Sequence, residues 1–169
     1  MVRQYYTTSH SSFDIIYTNN YETLPLSEYN HLNLYINGND HTQQKFETLY
    51  KTVENGLKIT LFGGSTELSH ALHNSNFLKV NPGSQSWAEA LAPFITDLPY
   101  HPLLKGIEKN VSFEDKEFTP YSVRVSDPRA TVVLRNSDGW PAFLTKQIGK
   151  GFFTFATLTT ILNHTSSDR

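Results

Sequence analysis

The stretch Leu57-Lys58-Ile59-Thr60-Leu61-Phe62-Gly63-Gly64-Ser65-Thr66 decides the fold. It reads as a buried strand, and its two glycines turn it sharply into a helix capped by Ser65 or Thr66. Just upstream, Phe46, Leu49, Tyr50 and Val53 recur at i, i+3, i+4 and i+7, which is one apolar stripe of a helix over 41–55. Gly56 stands where a helix C-terminal glycine belongs. Earlier still, Leu32-Asn33-Leu34-Tyr35-Ile36 predicts a strand, closed by the turn residues Asn37-Gly38-Asn39-Asp40, which also supply a helix N-cap. Strand, helix and strand in such close order form a β-α-β unit, which requires parallel strands and a right-handed crossover.

Working outward, residues 2–12 are polar and read as an irregular lead. Phe13-Asp14-Ile15-Ile16-Tyr17-Thr18, bounded by Asn19-Asn20, predicts a strand expected to lie parallel to the other two in one sheet. Pro25 makes the segment around Leu24–Tyr29 a connector. Downstream, Glu67–His73 reads as a short helix, and Asn81-Pro82-Gly83-Ser84 breaks the chain. A further helix is expected through Trp87 and Leu91, with another break at Pro99–Pro102. Strands then follow around Val111–Phe113, Tyr121–Val125, Thr131–Arg135, Ala142–Gln147 and Phe152–Leu158. Asn136-Ser137-Asp138-Gly139 and Gly149-Lys150-Gly151 are the hairpin turns among them. Residues 165–169 read as a loose tail.

Composition narrows the classes. The chain has 169 residues, 38% hydrophobic and 13% aromatic, enough for one domain with a core. Its net charge of −2 and lack of a basic stripe argue against a nucleic-acid partner. No apolar run spans a bilayer, and no signal-peptide core follows Arg3, so a soluble chain with no membrane partner is expected. There is no cysteine, which excludes thiolate nucleophiles, thiolate metal sites and disulfides. That absence does not assign a compartment.

Several local words, taken in order, resemble the glutamine amidotransferase-like superfamily, in particular its trehalose-utilisation-protein-like (ThuA-like) branch. They are Phe13-Asp14-Ile15-Ile16, Leu24-Pro25, Tyr29 and the strand Leu32–Ile36; then Val53-Glu54-Asn55-Gly56-Leu57-Lys58; then His101-Pro102-Leu103-Leu104-Lys105-Gly106-Ile107 and the acidic stretch Phe113–Tyr121; and last Asp138-Gly139-Trp140-Pro141-Ala142 and Gly149-Lys150-Gly151-Phe152-Phe153. The resemblance covers most of residues 13–164. It implies an α/β, flavodoxin-like three-layer sandwich with a mostly parallel sheet and C-terminal β-hairpins, as a single domain over 13–164.

The chain departs from the family in two places. Members with glutaminase activity carry a cysteine on the elbow, where this chain has Phe62-Gly63-Gly64-Ser65, so that activity does not carry over. The family also begins with a central strand and helix, for which residues 1–12 offer no counterpart. An absent βα unit would leave sheet edges unpaired, so self-association is expected, as for a piece of a longer, exported bacterial protein.

Candidate chemistry gathers at the carboxyl ends of the parallel strands, where open α/β sheets bind ligands. Ser65 is the nucleophile candidate on the elbow, with His164 as the histidine available to it. The G-x-S-x-G pattern fails because residue 67 is Glu, and the competing reading of Ser65 as a helix N-cap is favoured. Asn37, Asn39, Asp40, Gly63, Gly64 and Ser65 are the candidate ligand-binding residues for a small polar molecule, weighed against a plain turn and cap. His70 and His73 share a helix face and would need His101 or His41 to complete a metal set. No zinc signature supports this, so neither a metal nor another cofactor is assigned. Glu114, Asp115 and Glu117 fit a solvated loop better than a catalytic pair, while Trp87 and Trp140 are sugar platforms or packing residues.

The expectation is a non-catalytic amidotransferase-like binding or assembly module of a larger protein, with a carbohydrate link implied by the resemblance. Its partner would be a small polar ligand or a neighbouring domain. The alternative is a hydrolase using Ser65 on a small polar or sugar substrate.

Overall fold

A computed structural model describes residues 3–8, 11–16, 23–35, 43–63, 65–82, 96–102, 123–135 and 139–157. The strand Lys58–Phe62 (β4) is an interior strand of a five-stranded sheet, second from one edge. Its partner across the predicted crossover is β3 (His31–Tyr35), parallel and in register from His31–Lys58 to Tyr35–Phe62. The connecting helix α1 spans Gln43–Glu54. Its stripe is buried as the periodicity requires: Phe46 and Leu49 are 1% exposed and Val53 is 0%.

On the other side β4 pairs in parallel with β9 (Gly151–Ala156), although 88 residues of chain, 63–150, lie between them. β9 pairs antiparallel with β8 (Pro141–Ile148), and β8 pairs antiparallel with β7 (Thr131–Arg135). The order is therefore β3-β4-β9-β8-β7, parallel on one side and built of hairpins on the other. The chain is an α/β protein with a mixed sheet.

Two further ribbons complete the described parts. β5 (Val80–Pro82) pairs antiparallel with β6 (Val123–Val125). At the front, β1 (Arg3–Thr8) and β2 (Ser11–Ile16) pair antiparallel as a separate hairpin. This corrects two expectations. The first twelve residues contain a strand, and the apolar run beginning at Phe13 pairs with it rather than in parallel with β3. Tyr5, Tyr6, Thr7 and Thr8 favour extended backbone, and closing two adjacent segments across two residues costs little chain entropy. The strand and helix read around 111–113 and 87–91 lie outside the described residues.

Side chains alternate across the sheet. One set, including Ile59, Leu61, Leu144, Phe153 and Phe155, joins α1 and the second helix α2 (Thr66–Asn74) in the core. Phe77 is the hub of that core. Its ring meets Phe46 edge-on at 5.9 Å, Tyr50 edge-on at 5.5 Å and Phe153 tilted at 4.7 Å. The opposite set carries a polar row in register across all five strands: Asn33, Thr60, Thr154, Thr145 and Thr131.

The glycine-lysine-glycine turn between β8 and β9 is shaped by the end of α1. Lys150 N–H donates to the Glu54 carbonyl at 3.0 Å, which satisfies one of the helix's terminal acceptors. The backbones touch so closely that a Cβ on Gly151 would stand 2.0 Å from the Val53 carbonyl oxygen. Gly149, at φ +55, would place a Cβ 2.4 Å from the Glu54 oxygen. Only glycine fits either position.

Candidate functional site

The carboxyl edge of the parallel strands is built from Tyr35, Phe62, Gly63, Ser65 and the end of β9. Gly63 N–H donates to the Ala156 carbonyl at 3.1 Å, which extends the β4–β9 ladder by one residue. Two residues later the chain is already capping α2. Ser65 is extended at φ −154, ψ 163, and its Oγ accepts from Leu68 N–H at 3.0 Å. Its carbonyl accepts from Ser69 N–H at 3.1 Å and from Ser69 Oγ at 3.0 Å. The strand therefore turns directly into the helix, as the two glycines and the serine indicate. Here the serine's hydroxyl satisfies a helix N-terminal amide. Among the described residues, no histidine or carboxylate is hydrogen-bonded to Ser65.

Of the other candidate site residues, Asn37, Asn39, Asp40, Gly64 and His164 lie outside the described residues, as do His41, Trp87, Glu114, Asp115 and Glu117. The remaining histidines are dispersed. His73 Nδ1 lies 3.0 Å from the Val80 carbonyl, tying α2 to β5, and His70 is exposed. His101 N–H donates to the Leu98 carbonyl at 3.0 Å in the turn before Pro102. Among the described residues no group of three histidine, aspartate or glutamate side chains is placed to hold a metal. Also among them, no helix is long and apolar enough to cross a membrane.

Two arrangements escape a reading by pattern. The first is a stacked ring pair at the carboxyl edge: Tyr35 and Phe62 lie 4.6 Å apart and 10° from parallel. Tyr35 remains 41% exposed, and partial burial pushes its phenol pKa up. On the same face, His31 Nε2 lies 2.9 Å from Thr60 Oγ1. Partial burial, aided by the neighbouring Lys58 ammonium, lowers the His31 pKa below 6.5 and favours the neutral ring.

The second is a buried ion pair. Lys146, in mid-strand on β8, donates to Asp127 Oδ2 at 2.6 Å, with the two side chains 2% and 3% exposed. Asp127 also accepts from Arg129 N–H at 3.0 Å and Lys79 N–H at 3.3 Å. Lys146 Nζ donates in addition to the Asn76 carbonyl at 3.1 Å. Burial by itself would raise the Asp127 pKa. The Lys146 hydrogen bond, the two amides and the ammonium charge outweigh it and hold the carboxyl below 3.8. The pair fastens the α2–β5 connection and the loop after β6 to the main sheet. A lysine between Thr145 and Gln147 gives no sequence signal of burial, because its partner is nineteen residues away.

No family model and no curated protein matches this sequence. Similarity appears among solved structures. The cytoplasmic protein STM1381 from Salmonella typhimurium LT2 aligns at TM-score 0.61 and 11% identity, over 98% of this chain and 86% of that one. The cytoplasmic protein STM3548 from Salmonella typhimurium aligns at 0.60 and 14%, over 94% and 83%. The exo-beta-1,4-mannosidase Op5Man5 from Opitutaceae bacterium strain TAV5 aligns at 0.52 and 16%, over 79% of this chain but 21% of the enzyme. At these identities the likeness is one of fold.

Proposed function

We propose that this chain is a non-catalytic, amidotransferase-like (ThuA-like) module that binds or assembles within a larger, carbohydrate-related protein. The finer fold belongs to the same reading: a flavodoxin-like arrangement in which β3, α1 and β4 are the parallel core and the β7–β9 hairpins close one side. The observation that carries it is the state of the elbow. Where the resembling glutaminases hold a cysteine nucleophile, this chain has a serine whose hydroxyl caps α2. A serine nucleophile needs a base to take its proton and a partner to orient that base. The described surroundings of Ser65 supply hydrogen-bonding backbone and Ser69 instead.

Support for the carbohydrate link is the fold likeness to about a fifth of a mannosidase, the size of one module in a longer chain. The test is turnover. The purified chain, offered glutamine, p-nitrophenyl acetate and p-nitrophenyl glycosides, is expected to hydrolyse none above background. Activity that disappears in Ser65→Ala would establish the hydrolase alternative and overturn this reading.

A further inference from the structure

We propose that His31 is a proton-sensitive tie between β3 and β4. Neutral, it accepts the hydroxyl proton of Thr60 and helps hold the two strands together. Protonated, it gives up that bond and stands as a second cation beside Lys58, and β3 loosens. The device belongs to the sheet and does not depend on what the chain binds.

Register brings the three groups together. β3 and β4 run parallel, with His31 opposite Lys58 and Asn33 opposite Thr60. In-register partners lie on one side of the sheet, on strands about 5 Å apart. From its place beside Lys58, His31 reaches two positions along β4, and its Nε2 lies 2.9 Å from Thr60 Oγ1. Thr60 is 9% exposed, and among the described residues His31 is the hydrogen-bond partner of its hydroxyl. β3 stands first in the sheet order, paired with β4 among the described residues, so any loss of the tie falls on a strand held from one side.

A hydroxyl has one proton to give. With the ring proton on Nδ1, the His31 Nε2 is an acceptor and takes it. An imidazolium donates from both nitrogens. Protonation therefore reverses the contact: Thr60 becomes the acceptor, and its own proton is left without a partner in buried surroundings. A buried group deprived of its hydrogen bond makes that state costly.

Charge acts in the same direction. Among the described residues, Lys58 is the charged group that acts on the ring. The residues in register on this face of β3, β4 and β9 include no carboxylate to offset it. Burial first, and then the Lys58 ammonium, lower the His31 pKa on folding. The contribution of the tie is thus present in full above the unfolded value of 6.5 and is lost as pH falls through the lower folded value.

NMR titration of the His31 ring, with amide hydrogen exchange at pH 8 and pH 5 corrected for intrinsic rates, tests the proposal. Wild-type His31 is expected to titrate below 6.5, and Thr60→Val and Lys58→Met are each expected to move it upward. The β3 amides should lose protection at pH 5 relative to those of β8. His31→Gln, whose amide oxygen can still accept from Thr60 and does not titrate, should keep β3 protected at both pH values. Lys58 is exposed, so Lys58→Met keeps the fold and carries the test should Thr60→Val unfold. A His31 that titrates at or above 6.5, a pKa unmoved in the folded variants, or β3 exchange that responds to acid equally in wild type and His31→Gln would overturn the tie.

Discussion

Lys146 Nζ and Asp127 Oδ2 meet at 2.6 Å with both side chains almost wholly out of water. Nineteen residues separate them, and their contact joins the sheet to the loops that lead into and out of the β5–β6 ribbon. Removing one member of a buried pair leaves the other charge without a partner, which costs about 3–5 kcal/mol. Asp127→Ala is expected to cost that much and to lower the thermal midpoint by on the order of 10 °C. The double change Lys146→Met with Asp127→Asn should recover much of the loss, because the amide still accepts from Lys79 and Arg129. Denaturant midpoints of the single and double variants measure this. Equal losses in the single and double variants would show that the charges are not coupled.

The same pair makes stability depend on acid. The Asp127 pKa is lowered on folding, so its contribution is present in full above the unfolded value of 3.8. It is lost as pH falls through the lower folded value. Urea midpoints between pH 7 and pH 3 should therefore fall less steeply for Asp127→Asn than for wild type at the acid end. Parallel curves throughout would mean that another carboxylate governs the acid response.

Two glycines in the hairpins should respond differently to alanine. At Gly151 the new Cβ meets two backbone carbonyls, and the hairpin must lift from α1, at a cost of about 3 kcal/mol. At Gly139 there is open space, so only the strain of φ +83 is felt, about 1 kcal/mol. Chemical denaturation of both variants checks the order, and a larger loss at Gly139 would contradict the packing of hairpin on helix.

The β-α-β unit was legible because its signals are local. A 3.6-residue stripe from Phe46 to Val53, a glycine at 56 and a five-residue apolar strand each act within a few positions of themselves. The hairpin turns at Gly139 and Gly149 were legible for the same reason. The fate of Phe13–Ile16 was not, since an apolar run of that length carries no mark of its partner, and the partner was the neighbouring Tyr- and Thr-rich segment. Pairing of β4 with β9 is likewise set by tertiary packing. At the site, the Ser65 cap could be read from the sequence; the stack of Tyr35 on Phe62 could not, because it depends on register between two strands.

The central claim is that Ser65 holds a helix and cleaves nothing. Loss of an N-cap serine costs on the order of 1 kcal/mol. Ser65→Ala, measured alongside wild type for both unfolding and hydrolysis of glutamine, p-nitrophenyl acetate and p-nitrophenyl glycosides, addresses both halves together. The expected result is a small fall in stability, restored by Ser65→Asp, with turnover at background in every protein. A folded Ser65→Ala variant that loses a clear wild-type activity would contradict the account.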